Sequence, residues 1–155
     1  MTGFSPVPNV TDFTTFLQAV VGISTVYLPP TDPVIGYAFG VAQSIVSTDF
    51  ASTPGTLYAL MTYNLGADLI INYAQDQVVG GAQYTFFTDL RTRFGIAIFV
   101  PGVVASSSNE GSSQSTTNPE QMKNYTLMDL QNLKTPYGRT YLAYAGQYGP
   151  LWGIS

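Results

Sequence analysis

The sequence predicts a mainly α-helical fold: a small bundle of about four to five helices, a long polar loop, and an extended or helical C-terminal tail. Three observations carry that expectation. A cap residue ahead of a proline recurs at Thr31-Asp32-Pro33, Ser52-Thr53-Pro54 and Thr135-Pro136. Proline suits the first helical position, where its missing N–H would have no partner anyway. Apolar residues behind these starts recur at helical spacing. Residues 106–118 are polar throughout and cannot bury enough apolar surface to order themselves.

Taken in order, Thr11 can cap the first helix, with Asp12 favourable in its first turn. Phe13, Phe16, Leu17, Val20 and Val21 then form one stripe, and Gly22 ends it. The second helix opens at Thr31-Asp32-Pro33 and buries Val34, Ala38, Val41, Ala42, Ile45 and Val46, with Gln43, Ser44 and Ser47 opposite. The third starts at Ser52-Thr53-Pro54 and runs to about Asp76, with Leu57, Leu60, Met61, Leu65, Ala67 and Ile71 on one face. Asn64 and Asp68 fall inside that face, one turn apart. A charge on a core stripe is costly unless it is paired or hydrogen-bonded. Either the two form a structural polar pair, or Asp68 meets an arginine such as Arg91 or Arg139 where this helix touches a neighbour.

Val78-Val79-Gly80-Gly81 breaks the chain. A fourth helix is expected from about Gln83 to Phe94, with Phe86, Phe87, Leu90 and Phe94 on one side. Gly95 to Val104 is apolar but interrupted by Pro101, so it reads as irregular or partly extended. Met122 to Leu133 reads as a short helical or turn-rich connector. Thr135-Pro136 opens the last helix, which carries Tyr137, Tyr141, Leu142 and Ala145. The organisation is therefore a single domain with a bundle over residues 1–104, a flexible polar loop over 105–119 and a C-terminal docking segment over 120–155.

Composition narrows the function. The chain has 155 residues, enough for one domain to bury roughly 70% of its unfolded surface. It is 45% hydrophobic yet only 9% charged, against about 25% in typical globular proteins. Little charge is left to coat a free surface, which fits a particle component or a subunit covered by neighbours. There is no cysteine and no histidine, so thiolate and histidine-based nucleophilic catalysis is impossible within the chain. Asp49, Asp68, Asp76 and Asp89 are the nearest carboxylate candidates for acid–base work, and each stands isolated among apolar or polar neighbours. No calcium-loop spacing or phosphate-cradling loop occurs. The reading is not an enzyme, with no metal and no cofactor. No apolar run approaches the roughly 20 residues needed to span a bilayer, so no membrane association is expected.

Charge is uneven. Residues 1–90 carry six aspartates and no basic residue, whereas residues 91–155 carry five basic residues against three acidic ones. A basic groove for nucleic acid is not supported. The asymmetry is either chance in a charge-poor chain or the mark of a subunit that stacks between unlike partners.

Tyr137, Tyr141, Tyr144 and Tyr148 follow at i, i+4, i+7 and i+11, one continuous helical edge, with Trp152 close behind. Such an edge is either core or interface. Five of the chain's twelve Tyr and Trp residues fall in its last nineteen positions, which favours docking, since Tyr, Trp and Arg dominate binding hot spots.

A helical first part, then Gly-Val-Val-Ala-Ser-Ser-Ser, then Leu133-Lys134-Thr135-Pro136-Tyr137-Gly138-Arg139-Thr140-Tyr141-Leu142 resembles the small head-to-tail adaptor (connector) proteins of tailed bacteriophages. The part from Phe13 to about Phe94 is similar in pattern only. Leu133 to Gly153 is the specific portion, and Thr-Pro-Tyr-Gly-Arg is its strongest element. The resemblance implies a virion structural protein, assembled in the host cytoplasm into a twelve-fold homo-oligomeric ring beneath the portal protein. Such a ring extends the DNA channel, lets DNA pass without specific binding, and offers a surface to a downstream neck or tail protein. On that analogy Pro136–Trp152 docks on the portal or clasps a neighbour, with Tyr137, Arg139, Tyr141, Tyr144, Tyr148 and Trp152 as contact residues. The 105–119 loop would be an adaptable contact. The alternative is another particle component, such as a capsid or decoration protein. One departure is the load of Gly, Thr and β-branched residues, which leaves the helices dependent on packing.

Overall fold

The computed structural model describes residues 4–52, 55–79, 81–99, 103–107, 114–117 and 126–148. The fold is mainly helical, a small bundle as expected, with six α-helices among the described residues. Helix α1 is Val10–Phe16. Its cap is Asn9 rather than Thr11: the Asn9 side chain accepts the Asp12 N–H at 2.8 Å, and its amide donates to the Asp12 carboxylate at 2.9 Å. Asp12, three residues on, can reach back to Asn9 in this reciprocal way and so fixes the start there.

A π-helical turn, Leu17–Val21, continues α1 and closes on Gly22 in the left-handed region at φ 81°. The wider turn shifts the phase of the apolar stripe. Phe13, Phe16 and Leu17 are buried, while Val20 is 52% exposed and Val21 only partly buried. The expected five-residue stripe thus loses Val20, while Val21 still packs against the core.

Helix α2 is Pro33–Ile45, opened by Asp32, whose carboxylate accepts the Val34 N–H at 3.0 Å. The other Asp32 oxygen accepts from Gln77 Nε2 at 2.6 Å, tying this cap to a residue far along the chain, just ahead of Val78. Ile35, Ala38 and Ala42 are its buried residues, with Val46 buried at the C-cap; Val34, Val41 and Ile45 of the expected stripe are only partly buried, and Ile35 joins the inward face.

Helix α3, Leu57–Tyr73, is the axis of the molecule. Thr53 and Pro54 lie outside the described residues; the helix starts three residues after Pro54, behind a 3₁₀ turn at Thr48–Ser52, and its N-cap residue Thr56 makes no side-chain cap bond. It is buried on nearly every side from Tyr58 to Ile71, so it is a central helix and not an amphipathic one. One apolar cluster packs Phe13, Phe16, Leu17, Ile35 and Phe87 against Tyr63, Ala67 and Ile70. A second packs Ala42, Val46 and Phe50 against Tyr58, Met61 and Leu65. Each fully buried large side chain contributes about 1.5–3 kcal/mol. Tyr63 stacks on Phe13 at 5.8 Å between ring centroids, and its hydroxyl receives the Asn9 N–H at 3.2 Å.

After α3, strands β1 (Val78–Val79) and β2 (Ala82–Gln83) form a minimal antiparallel hairpin. Helix α4, Phe86–Arg93, buries Phe87 and Leu90. Asp76 serves its N-terminus from outside the helix, accepting the Phe87 N–H at 2.7 Å and the Thr88 N–H at 3.2 Å. Within and beside the polar stretch expected as a loop, the described residues form a strand pair, with β3 (Val103–Ser107) antiparallel to β4 (Gln114–Thr117). Backbone pairing is indifferent to side-chain polarity, which is why hydrophobic periodicity misses such a ribbon. Helix α5, Leu127–Asn132, begins in a reciprocal capping box between Thr126 and Asp129. Helix α6, Pro136–Tyr148, starts at the expected proline and lies along α3.

Candidate functional site

Helix α6 and its seat on α3 hold most of the residues the sequence singles out. Thr135 is fully buried at the head of α6. Its hydroxyl accepts the Gly138 N–H at 2.9 Å, which caps the helix, and donates to Asp68 Oδ1 in α3. One side chain therefore satisfies the helix start and binds it to the central helix. Gly138 sits directly over this junction. A Cβ there would stand 2.7 Å from Asp68 Oδ1 and still closer to the Asn132 carbonyl oxygen. Only glycine lets α6 approach α3 and the end of α5 at once. The Thr-Pro-Tyr-Gly core of the tail motif is thus a local packing device: cap, first helical residue, aromatic, close approach.

Asp68 is 1% exposed. Burial pushes its carboxyl up to about 7 from an ordinary 3.8, against the lowering influence of the Thr135 hydrogen bond, the nearby Asn72 amide and the Lys134 charge. The Asn72 amide itself donates to the Asp68 backbone carbonyl at 2.8 Å. Asp68 Oδ2, and the Nδ2 of buried Asn132, find no hydrogen-bond partner among the described residues. Asn64 does not pair with Asp68. Its amide donates to the Leu60 carbonyl at 2.8 Å, one turn back, so each polar group finds its own partner. Neither Arg91 nor Arg139 reaches Asp68. Arg91 donates to the Ile71 carbonyl at 2.8 Å and to that of Ala74, closing the end of α3. Arg139 is exposed and donates to the Leu133 carbonyl at 3.0 Å, just past α5.

The tyrosine edge packs largely inside the chain. Tyr137 meets the Phe16 ring edge-on at 6.4 Å and joins the first cluster. Tyr141 and Tyr144 lie against the second cluster with Ala145. Burial raises the Tyr137 hydroxyl's pKa, with the Arg93 charge opposing, and raises that of Tyr141, where Asp129 adds to the effect. All three are partly exposed, so the same edge that closes the core also reaches the surface. The Tyr148 side chain and Trp152 lie outside the described residues.

The remaining carboxylates take structural positions. Slight burial pushes the Asp76 carboxyl up, but hydrogen bonds from Thr88 and from the Phe87 and Thr88 backbone, with Arg91 nearby, hold it below the usual range. Asp89 accepts from the Thr85 hydroxyl at 2.9 Å, and Asp49 from Ser47 at 3.4 Å. Among the described residues no group of three or more acidic, histidine or cysteine side chains could hold a metal ion, and no helix is long and apolar enough to cross a membrane.

Helix α5 is tied to the end of α3 by Gln131, whose Nε2 donates to the Tyr73 hydroxyl at 2.7 Å. Leu127 and Met128 stand four and three residues before Gln131, on the same face of α5. Tyr73, Leu127 and Met128 are 56%, 87% and 45% exposed. Sequence reasoning missed these exposed side chains, and missed Thr135, Gly138 and Asn132 as a unit. The available signal was Asp68 itself, a lone charge on an apolar helix awaiting a donor from elsewhere. No family model, curated protein or solved structure matches the chain.

Proposed function

We propose that this chain is a virion structural subunit, a head-to-tail adaptor that forms a ring joining a portal protein to the next neck or tail protein and extends the DNA channel. The observation that supports an assembly role best is the exposure of Tyr73, Leu127 and Met128 on a chain with only 9% charged residues. Large apolar side chains left exposed on a charge-poor chain suit a surface made to be covered. The exposed Arg139, beside the half-buried tyrosine edge of α6, adds a second contact element of the residue types that dominate hot spots.

The acidic first part of the chain suits a channel wall that DNA passes without being held, because neutralising phosphates takes clustered Lys and Arg. The adaptor role itself rests on the resemblance of the Leu133–Gly153 segment. Purified protein mixed with portal particles and imaged by negative stain is expected to add a closed ring of density beneath the portal; no added density refutes the proposal. Counting copies per virion separates it from a capsid or decoration protein: about a dozen against many more.

A further inference from the structure

A cavity of about 350 Å³ opens between the turn ahead of α2, the segment that follows β2, and α4. Its size falls at the lower end of the roughly 300–1,000 Å³ of small-molecule sites. Three aromatic rings line it and hold one another in place. Tyr27 stacks on Phe86 with 4.5 Å between centroids and planes 8° apart, and meets Tyr84 edge-on at 5.4 Å. Asp89 and Arg93 line the same cavity from α4, four residues apart on one face of the helix.

An acid and a base at that spacing are placed to pair across the turn, yet these two do not. The Asp89 carboxylate accepts from the Thr85 hydroxyl at 2.9 Å. The Arg93 guanidinium lies over the Phe94 ring, 5.7 Å from its centroid, and makes no hydrogen bond or ion pair among the described residues. The cavity therefore presents a carboxylate acceptor and a guanidinium donor fork together, neither consumed by the other.

This pairing of groups selects the ligand. A phosphate would face Asp89 and the six aspartates of residues 1–90, and an alkylammonium would face Arg93. A zwitterion meets both charges, but Asp89 and Arg93 are exposed, and water leaves exposed ion pairs little to gain. A neutral molecule rich in hydroxyls suits them better. Each hydroxyl both donates and accepts, and a hydrogen bond to a charged group is stronger than one between neutral groups. The aromatic rings ask for apolar surface on the same molecule. A sugar ring combines hydroxyls at its rim with C–H groups that suit the negative face of an aromatic ring.

We propose that this cavity binds a neutral pyranose, with its C–H surface against the rings of Tyr27, Tyr84 and Phe86 and its hydroxyls shared between Asp89 and Arg93. The proposal needs neither a ring nor a portal, so it stands apart from the adaptor reading.

Saturation-transfer NMR on the purified full chain tests it. The probes are neutral hexoses and N-acetylhexosamines, each as the free sugar and as the methyl glycoside. The expected result is saturable transfer to sugar C–H protons. Equal binding of the methyl glycoside points to a residue of a glycan, and binding of the free sugar alone to a monosaccharide. Arg93→Ala and, separately, Asp89→Asn should each weaken binding by about tenfold or more. Arg93 has no hydrogen bond to lose, so the urea melt of Arg93→Ala should match the parent, and that variant decides the matter if Asp89→Asn fails to fold. No transfer to any of these sugars overturns the proposal. So does binding that both substitutions leave unchanged, which would place it elsewhere on the chain. Displacement of the bound sugar by inorganic phosphate or by phenylalanine, at concentrations below those at which any sugar binds, overturns it in favour of an anion or a zwitterion.

Discussion

Replacing Gly138 by alanine tests the junction that anchors α6, and Gly146 in the same helix provides its control. Both glycines lie within α6, so alanine brings the same propensity gain of about 1 kcal/mol at either position. A Cβ at Gly146 meets nothing within 4 Å. Gly146→Ala should therefore stabilise the protein by about 0.5–1 kcal/mol. At Gly138 the new methyl group collides with the Asn132 carbonyl oxygen and stands 2.7 Å from Asp68 Oδ1. Overpacking costs about 1–3 kcal/mol, with the upper end expected here because the obstacle is backbone. Displacing α6 also weakens the buried Thr135–Asp68 hydrogen bond, worth about 1 kcal/mol more. The net for Gly138→Ala is a loss of about 2–3 kcal/mol. At about 2–4 °C per kcal/mol for a chain of this size, its melting midpoint should fall by about 5–10 °C while that of Gly146→Ala rises slightly. Urea denaturation and thermal melts of the two variants beside the parent measure this. If Gly138→Ala shifts in the same direction as Gly146→Ala, the close approach at the head of α6 is not what holds that helix.

Two further predictions concern charges. The Asp68 carboxyl is pushed up to about 7 in the fold, so its contribution is fully present below its ordinary value of 3.8 and is lost as pH rises through about 7. That gap corresponds to at most about 4 kcal/mol. Asp68→Asn should lack this slope, gaining on the parent as pH rises from 4 to 8 in urea titrations; parallel pH profiles would show that Asp68 carries no raised pKa. Arg91→Ala removes two hydrogen bonds to carbonyls at the end of α3 and should lower stability by about 2 kcal/mol. Arg139→Ala, at an exposed site, should stay within about 0.5 kcal/mol yet weaken ring formation, with urea melts and sedimentation as the two readouts. Equal melts for the two arginine variants, or unimpaired assembly of Arg139→Ala, would contradict these roles.

Much of the fold was legible because helix starts are written locally. Asp32-Pro33 and Thr135-Pro136 mark α2 and α6, and Thr126 with Asp129 builds its capping box from residues three apart. Where two caps competed, as with Asn9 and Thr11, the choice turned on whether the Asp12 side chain could reach back, a geometric matter. The π turn after Phe16 was invisible, since nothing in a sequence sets the phase of an apolar stripe once the helix widens. The polar strand pair was hidden for a related reason, because its ladder is made by backbone groups that every residue carries.

The sequence by itself determined that this chain is helical, poor in charge, and without the histidine or cysteine that most nucleophilic catalysis and many metal sites employ. It also placed one charge, Asp68, where an apolar face should run. Only the tertiary structure decided what that charge is for. Burial makes an unpartnered carboxylate costly, so the residue that relieves it must come from a distant segment brought close by packing, and that residue is Thr135, 67 positions away. The same packing drew Tyr137, Tyr141 and Tyr144 onto the core and left Tyr73, Leu127 and Met128 outside. Helical spacing shows which residues share an edge, but which edge meets the core depends on how α6 is held against α3.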